Sequence, residues 1–358
     1  FIVLFIFISK GIFVLYVNSK GYRLVSELKA SIQKRLFDSY LKSKYAFHVG
    51  NNSAEHLRNL TIECNAIEAR LLMPILVLFS EAIPIVFLIV FLLLINPIGL
   101  ITCAFMFISM GYLITKQTSP RLKALGNDQL VADGELIKTI QQSFHCIKEV
   151  FVYQREDVLN TKFSISADKT AKAIATVGFL AGVPRFFFEV IAILCIFIIA
   201  GVSFKSGGHI NDVLIELGIF LGAVIKMLPS ANKIIAHIQS LNHASPSVNN
   251  IIEQFDKCEA MKKPIISIGG KFIFESIEFK EVGLIYPSGR TVLSKCNFKI
   301  IKGDFVGVIG ETGAGKSSLI NMILGLIEQS SGNILINNSP IKQINSAGDN
   351  WIGYVPQD

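Results

Sequence analysis

The chain alternates long apolar blocks with long polar ones. Five stretches, roughly 1–17, 71–95, 98–115, 179–204 and 212–229, are candidate membrane spans, since a span needs about 20 apolar residues. The second, LLMPILVLFSEAIPIVFLIVFLLLI, fits best, and the first is short. The fifth holds Glu216 and Lys226 and also reads as a buried soluble helix. The polar blocks between them are not loop-like. Residues 19–46 contain no Pro and only Gly21, and Leu24, Leu28, Ile32, Leu36 and Tyr40 recur every fourth position. That stripe predicts a helix reaching about 42 Å beyond the span. Gly50-Asn51-Asn52-Ser53 supplies a turn, and Ala54 to Arg70 predicts a returning helix. Residues 121–175 repeat the plan, with Leu130, Ile137, Ile140, Phe144 and Ile147 as the apolar stripe. Two helical hairpins are expected, with tips at about 46–54 and 129–145.

After about 245 the pattern changes. Pro246, Asn249 and Asn250 interrupt it, and Lys262-Lys263-Pro264 marks a linker. Short β-like runs follow from 271: KFIFESIEFKEV, TVLSKCNFKII, DFVGVIG, NILINN and WIGYVPQ, with a helical pattern over Ser318 to Leu326. Strands mixed with a helix predict an α/β domain. The expected division is a membrane domain over 1–255, a linker over 256–269 and the leading part of the α/β domain over 270–358.

Composition agrees with a membrane protein: 51% of residues are hydrophobic and 17% charged, against about 25% charged in soluble domains. The net charge of +7 is unevenly placed. Residues 264–358 hold 8 Lys/Arg and 8 Asp/Glu, so the basic excess lies wholly in the apolar part. It reads as a topology signal rather than a nucleic-acid patch. The connections 18–70 and 116–178 carry 9 Lys/Arg each, the one at Asn96-Pro97 carries none, and 205–211 carries only Lys205. Both hairpins and everything after 230 are therefore expected in the cytoplasm. Phe1 then lies outside, so a further span is expected before it, giving six in all. The chain is expected to be a piece clipped at both ends. The six cysteines are scattered with no CxxC and read as ordinary buried thiols.

The chemistry is concentrated in Gly310-Glu311-Thr312-Gly313-Ala314-Gly315-Lys316-Ser317, which matches GxxxxGK[ST] between the run FVGVIG and the helix beginning at Ser317-Ser318. Glycines let backbone N–H groups curl around phosphate oxygens, and the helix N-terminus adds free donors and partial positive charge. Lys316 is the β/γ-phosphate cation and Ser317 the Mg²⁺ ligand.

With these residues the chain resembles the ATP-binding cassette (ABC) exporters, as a half-transporter whose membrane domain is fused to a cassette. The resemblance covers nearly the whole chain. It implies a polytopic α-helical membrane domain with long intracellular helices, followed by the start of an α/β P-loop nucleotide-binding domain. It implies ATP and Mg²⁺ as cofactors and a second, identical half-transporter as partner. It also implies that the hairpin tips press on the nucleotide domains as coupling helices. Tyr286, in LIYPSG, is placed like the family's adenine-stacking aromatic, and Gln357, in YVPQD, like its Q-loop glutamine, which helps bind Mg²⁺. The family's signature motif, Walker B aspartate, catalytic glutamate and switch histidine are not within 1–358. No catalytic base is assigned, and this stretch by itself is not expected to hydrolyse ATP.

Val183-Pro184-Arg185 with Glu189, and Leu228-Pro229-Ser230-Ala231-Asn232, resemble the exporters that flip polyprenyl-linked oligosaccharides across the bacterial inner membrane. Arg185 is a candidate anion contact for a pyrophosphate headgroup, with Glu189 beside it; the alternative is a structural ion pair near the interface. Glu81 and Lys226 are similar intramembrane candidates. A lipid, peptide or drug exporter is the alternative within the class. A membrane-anchored regulatory NTPase is the alternative outside it, disfavoured because an anchor needs neither five spans nor two hairpins.

Overall fold

The computed structural model describes residues 1–205, 210–262, 273–286, 289–341 and 352–355. The chain forms two compact units, one of Phe1–Asp38 with Ser53–Asp256, the other of Ser39–Asn52 with Lys257–Asp358.

The first unit is helical. Helix α1 spans Ile2–Lys42, and α2, Tyr45–Gly50, belongs to the other unit. Helix α3 runs over Ser53–Ile95, with π-helical turns at Asn59–Glu63 and Glu68–Leu72. Then come α4 (Pro97–His145), α5 (Ile147–Tyr153), α6 (Glu156–Lys205) and α7 (Ile210–Ala260). Among the described residues, α3, α4, α6 and α7 are each long and apolar enough to cross a membrane. At 1.5 Å per residue, a 50-residue helix such as α6 is about 75 Å long, more than twice the ~30 Å hydrocarbon core. Each of these helices therefore has a lipid part and an aqueous arm. In the lipid parts Phe79, Phe87, Phe105 and Phe197 face outward, each more than 70% exposed. No water-soluble surface would tolerate such a band.

Between the spans, Asn96 caps α4: its Oδ1 accepts from the Gly99 N–H at 2.8 Å. Small residues let the helices close up. A Cβ on Gly99 would lie 2.7 Å from the Phe220 ring, and one on Gly111 would lie 3.1 Å from Ile235. Phe107 and Phe188 stack with centroids 5.5 Å apart in the core they share with Cys195 and Ile199.

The expected interruption at Pro246 is not a break. Helix α7 passes through Pro229 and Pro246 and ends at Ala260, inside the residues expected as linker. Of the rest of 256–269, only Met261 and Lys262 are described.

Two readings of the arms are corrected. The second reversal lies at 146–155, where Cys146 ends α4 and Gln154 takes a left-handed φ of 51°, not at 129–145. Helix α4 passes through Pro120 and continues to His145, so the arm runs on. The burial stripes also differ. On α1, Leu24 and Leu28 are exposed, whereas Val25, Leu36 and Tyr40 are buried. A strict four-residue spacing drifts about 40° per step against a 3.6-residue turn. On α4, Ile140 and Phe144 are exposed, and the buried face carries Leu122, Gln129, Asp133 and Thr139.

In the second unit, α2 folds back so that Phe47 stacks on Tyr40, with centroids 5.9 Å apart. The Lys44 N–H donates to the Met261 carbonyl at 2.8 Å, and Lys44 Nζ pairs with Glu328 at 2.9 Å. Strands β1 (Ser276–Ile285), β2 (Thr291–Ile301), β3 (Ser331–Ile336) and β4 (Ser339–Pro340) form an antiparallel sheet in the order β2-β1-β3-β4. Phe279 stacks on Phe298 at 4.3 Å over Met322 of helix α8 (Lys316–Ile323). Strand β1 shifts register against both neighbours near Glu281, whose N–H donates to Asn297 Oδ1 at 2.8 Å.

One expected strand is absent. Residues 304–310 pair with no described strand, and Phe305 and Ile309 are almost fully exposed. A strand exists only through a partner's ladder, and no described strand runs beside this one. The fold class is that of a polytopic α-helical membrane domain followed by the start of a β-containing P-loop domain.

Candidate functional site

The loop between residue 310 and α8 is shaped by its glycines. Gly313 and Gly315 have φ of 89° and 93°, conformations that L side chains rarely adopt. A Cβ on Gly315 would lie 2.8 Å from Val292 Cγ1, so the loop lies close against β2. The Ala314 N–H donates to the Glu311 carbonyl at 3.2 Å and closes the turn. Helix α8 starts directly after it, and its first-turn N–H groups lack intrahelical partners. Lys316 Nζ curls back to donate to the Gly310 carbonyl at 2.6 Å and the Glu311 carbonyl at 2.8 Å. Glu311, Thr312, Gly313, Ala314 and Ser317 are exposed, whereas Ser318 is buried.

Tyr286 comes from the β1–β2 turn, where its N–H donates to the Arg290 carbonyl at 3.0 Å. Its hydroxyl lies 3.2 Å from Ser318 Oγ. The fold thus brings together Tyr286 and the loop, two features 24 residues apart. It also brings in Arg290, which sequence reasoning passed over. Its Nη2 lies 3.6 Å from where a Gly313 side chain would begin. The motif pattern held no signal for it. Gln357 lies outside the described residues.

This geometry fits a polyphosphate. A concave backbone loop that a Cβ would crowd, unpaired helix N–H groups and a lysine with two exchangeable carbonyl partners converge at one helix start. The lysine's contacts are ones an anion replaces with stronger, charge-assisted bonds.

In the membrane unit, Arg185 Nε donates to Glu189 at 2.9 Å, and the Arg185 side chain is 71% exposed. Glu81 does not pair with Lys226. It accepts from Ser230 Oγ at 2.7 Å and pairs with Lys233 at 2.7 Å. Ser230 belongs to the LPSAN segment; Lys233 was missed because 152 residues separate it from Glu81.

Residues 1–217 match the family described as ABC transporter transmembrane region, and residues 293–358 match the ABC transporter family. The chain belongs to the ABC transporter transmembrane-region family. It is 34% identical over 173 residues to a Rickettsia bellii (strain RML369-C) protein that carries the name export ATP-binding/permease protein; the match covers 48% of this chain and 25% of that one. It is 22% identical over 358 residues to the ATP-dependent lipid A-core flippase of Paraburkholderia xenovorans (strain LB400), covering 95% of this chain and 58% of that one. Among solved structures, a bacterial Atm1-family ABC exporter with ATP bound superposes with a TM-score of 0.75 at 16% identity, over 90% of this chain and 57% of that one. The chain thus spans a quarter to three-fifths of the length of these curated relatives.

Proposed function

We propose that the chain is the membrane domain and leading nucleotide-binding part of an ATP-driven exporter that moves an amphipathic lipid-linked substrate, most specifically a lipid-linked oligosaccharide, across the bacterial inner membrane. The observation that carries the reading is the glycine-shaped loop with Lys316, in one polypeptide with four membrane-length helices among the described residues. Loop N–H groups over 310–318 and Lys316 hold the triphosphate of ATP. The Ser317 hydroxyl, with Gln357, orients Mg²⁺, and Tyr286 packs against the adenine. Hydrolysis of the bound nucleotide supplies the free energy for transport. A second, identical half-transporter completes each site. The tips at α2 and α5 act as coupling helices, a role supported by Lys44 bridging to Glu328 beside α2 and by the exposed Phe151, Val152 and Tyr153 on α5.

The lipid A-core flippase relative supports a lipid cargo over a peptide or drug. Arg185 is the proposed headgroup contact. A surface ion pair contributes little by itself, about 0–1 kcal/mol, so an exposed Arg185 is available to an anion. In the full-length protein reconstituted in liposomes, lipid-linked oligosaccharide is expected to stimulate ATPase. Arg185→Met is expected to abolish that stimulation while basal turnover persists. Wild-type flipping by an Arg185→Met, Glu189→Gln double variant would remove the headgroup contact. Stimulation by peptides alone would remove the lipid reading.

Orientation has a test in the native chain. Cys146, at the second reversal, is the exposed cysteine among the described residues. An impermeant maleimide is expected to leave it unlabelled in intact cells and to label it once the membrane is opened, whereas a cysteine placed at Asn96 reacts from outside. Labelling of Cys146 in intact cells would invert the topology.

A further inference from the structure

In the aqueous arms of the helical unit lies a cavity of about 290 Å³, lined by Glu63, Asn65 and Arg70 of α3, Gln129 and Asp133 of α4 and Ser247 of α7. It starts eight residues before the apolar run of α3, outside the membrane span. A π-helical turn of α3 ends at Glu63 and another contains Arg70; such turns frequently mark functional positions. Glu63 is 2% exposed and Gln129 is 6% exposed.

The hydrogen bonds around the cavity do not close. One end of the Glu63 carboxyl group bonds to Ser247 and faces Arg58 Nε at 3.7 Å. Asp133 accepts from Thr170 Oγ1 at 3.0 Å and bonds to Gln129. Glu63 Oε2 and Gln129 Oε1 are both buried and both without a donor, and the buried Arg58 Nε is without an acceptor. Two orphan acceptors on one cavity are costly, and a single O–H group satisfies both. We propose that the cavity is a proton-binding site: Glu63 takes up a solvent proton as the arms pack, and its new O–H bonds to Gln129 Oε1, directly or through water.

The surroundings fit. Arg58 and Arg70 on α3 favour the carboxylate, whereas Asp133 on α4 opposes it. Burial outweighs the Ser247 hydrogen bond and both arginines and pushes the Glu63 carboxyl group above the ordinary carboxylate range. Cys64, next to Glu63 on α3, is pushed up to about 11 by burial and by Glu63, and His243 of α7 is held down to about 4 by burial and by Arg70, so both stay neutral while Glu63 titrates. The sign follows. A carboxyl group that holds its proton more tightly when packed stabilises packing fully below the ordinary Glu value of about 4.3. That stabilisation is lost as pH rises through the elevated value.

The proposal does not depend on the transport reading. The test is hydrogen exchange of amides 59–70 and 126–139, corrected for intrinsic rates, in the detergent-solubilised chain between pH 5 and 8. Wild-type protection is expected to fall with rising pH. Glu63→Gln, a neutral isostere, is expected to keep high, pH-independent protection, and infrared spectra should lose the band of one protonated carboxylic acid. Gln129→Met, which keeps the carboxyl group but removes its acceptor, is expected to move the transition to lower pH. A wild-type pH profile and an unchanged carboxylic-acid band in Glu63→Gln would overturn the proposal. So would loss of the pH dependence in Asp133→Asn alone, which would put the proton on Asp133.

Discussion

Replacing Lys316 with alanine is expected to weaken ATP binding by the full-length protein about 10- to 100-fold, the equivalent of one hydrogen bond to a charged group at 1.5–3 kcal/mol. The loop should survive the change. Its shape comes from glycines at positive φ and from the Ala314–Glu311 turn, and Lys316 contributes only two bonds to solvent-accessible carbonyls. Those bonds are what the lysine gives up when a triphosphate arrives, so the loss falls on the bound state and hardly on the fold. Binding of a fluorescent ATP analogue, beside a thermal melt, separates the two. Equal affinity in parent and variant would mean that the phosphates are held elsewhere.

Gly332→Ala is expected to destabilise the sheet by about 2–6 kcal/mol, combining backbone strain with overpacking. Gly332 has φ of 75°, and a Cβ there would strike the backbone carbonyls of Lys280 and Glu281. Those residues form the bulge of β1, held by Asn297 on the far side, so the carbonyls have nowhere to retreat. Gly303 is the internal control: its φ is 94°, but nothing lies within 4 Å of a Cβ. Gly303→Ala should therefore cost only the strain, about 1–3 kcal/mol. Amide exchange across 276–285 and 331–336 reads the difference. Equal losses in the two variants would show that contact with the bulge contributes nothing.

The sequence was most legible where one residue type has one physical job. Apolar runs of membrane length and a glycine-rich loop before a helix are of that kind: four of the five expected runs lie in helices of membrane length among the described residues, and the loop precedes α8. It was less legible where a side chain's role depends on a distant partner. Gln129 and Asp133 look like solvent-facing residues of a polar helix, yet they are buried because Thr170 and Glu63 meet them from other helices. The apolar stripe through Ile140 and Phe144 pointed to the wrong face for the same reason. Glu81 reads as an intramembrane candidate without its partner because Lys233 is remote in sequence. The second reversal was placed too early because nothing near 129–145 breaks a helix, and an unbroken pattern cannot say where an arm stops. The run FVGVIG has strand composition, but pairing is a property of neighbours.

The two π turns of α3 set the phase of one half of the helix against the other. Each wide turn absorbs one residue more than an α-helical turn, which offsets the preceding arm by about 100° from the direction an unbroken helix would give it. The interval between 59 and 72 therefore holds two residues more than an α-helix with the same facing would need. A single-residue deletion in that interval would relax one π turn to α geometry and leave the lipid-facing side of 73–95 undisturbed. Arg58 and the first reversal would keep their bearing, because the residue removed is the one the wide turn had absorbed. A one-residue deletion, usually ruinous within a helix, would be absorbed here with the arm's facing preserved.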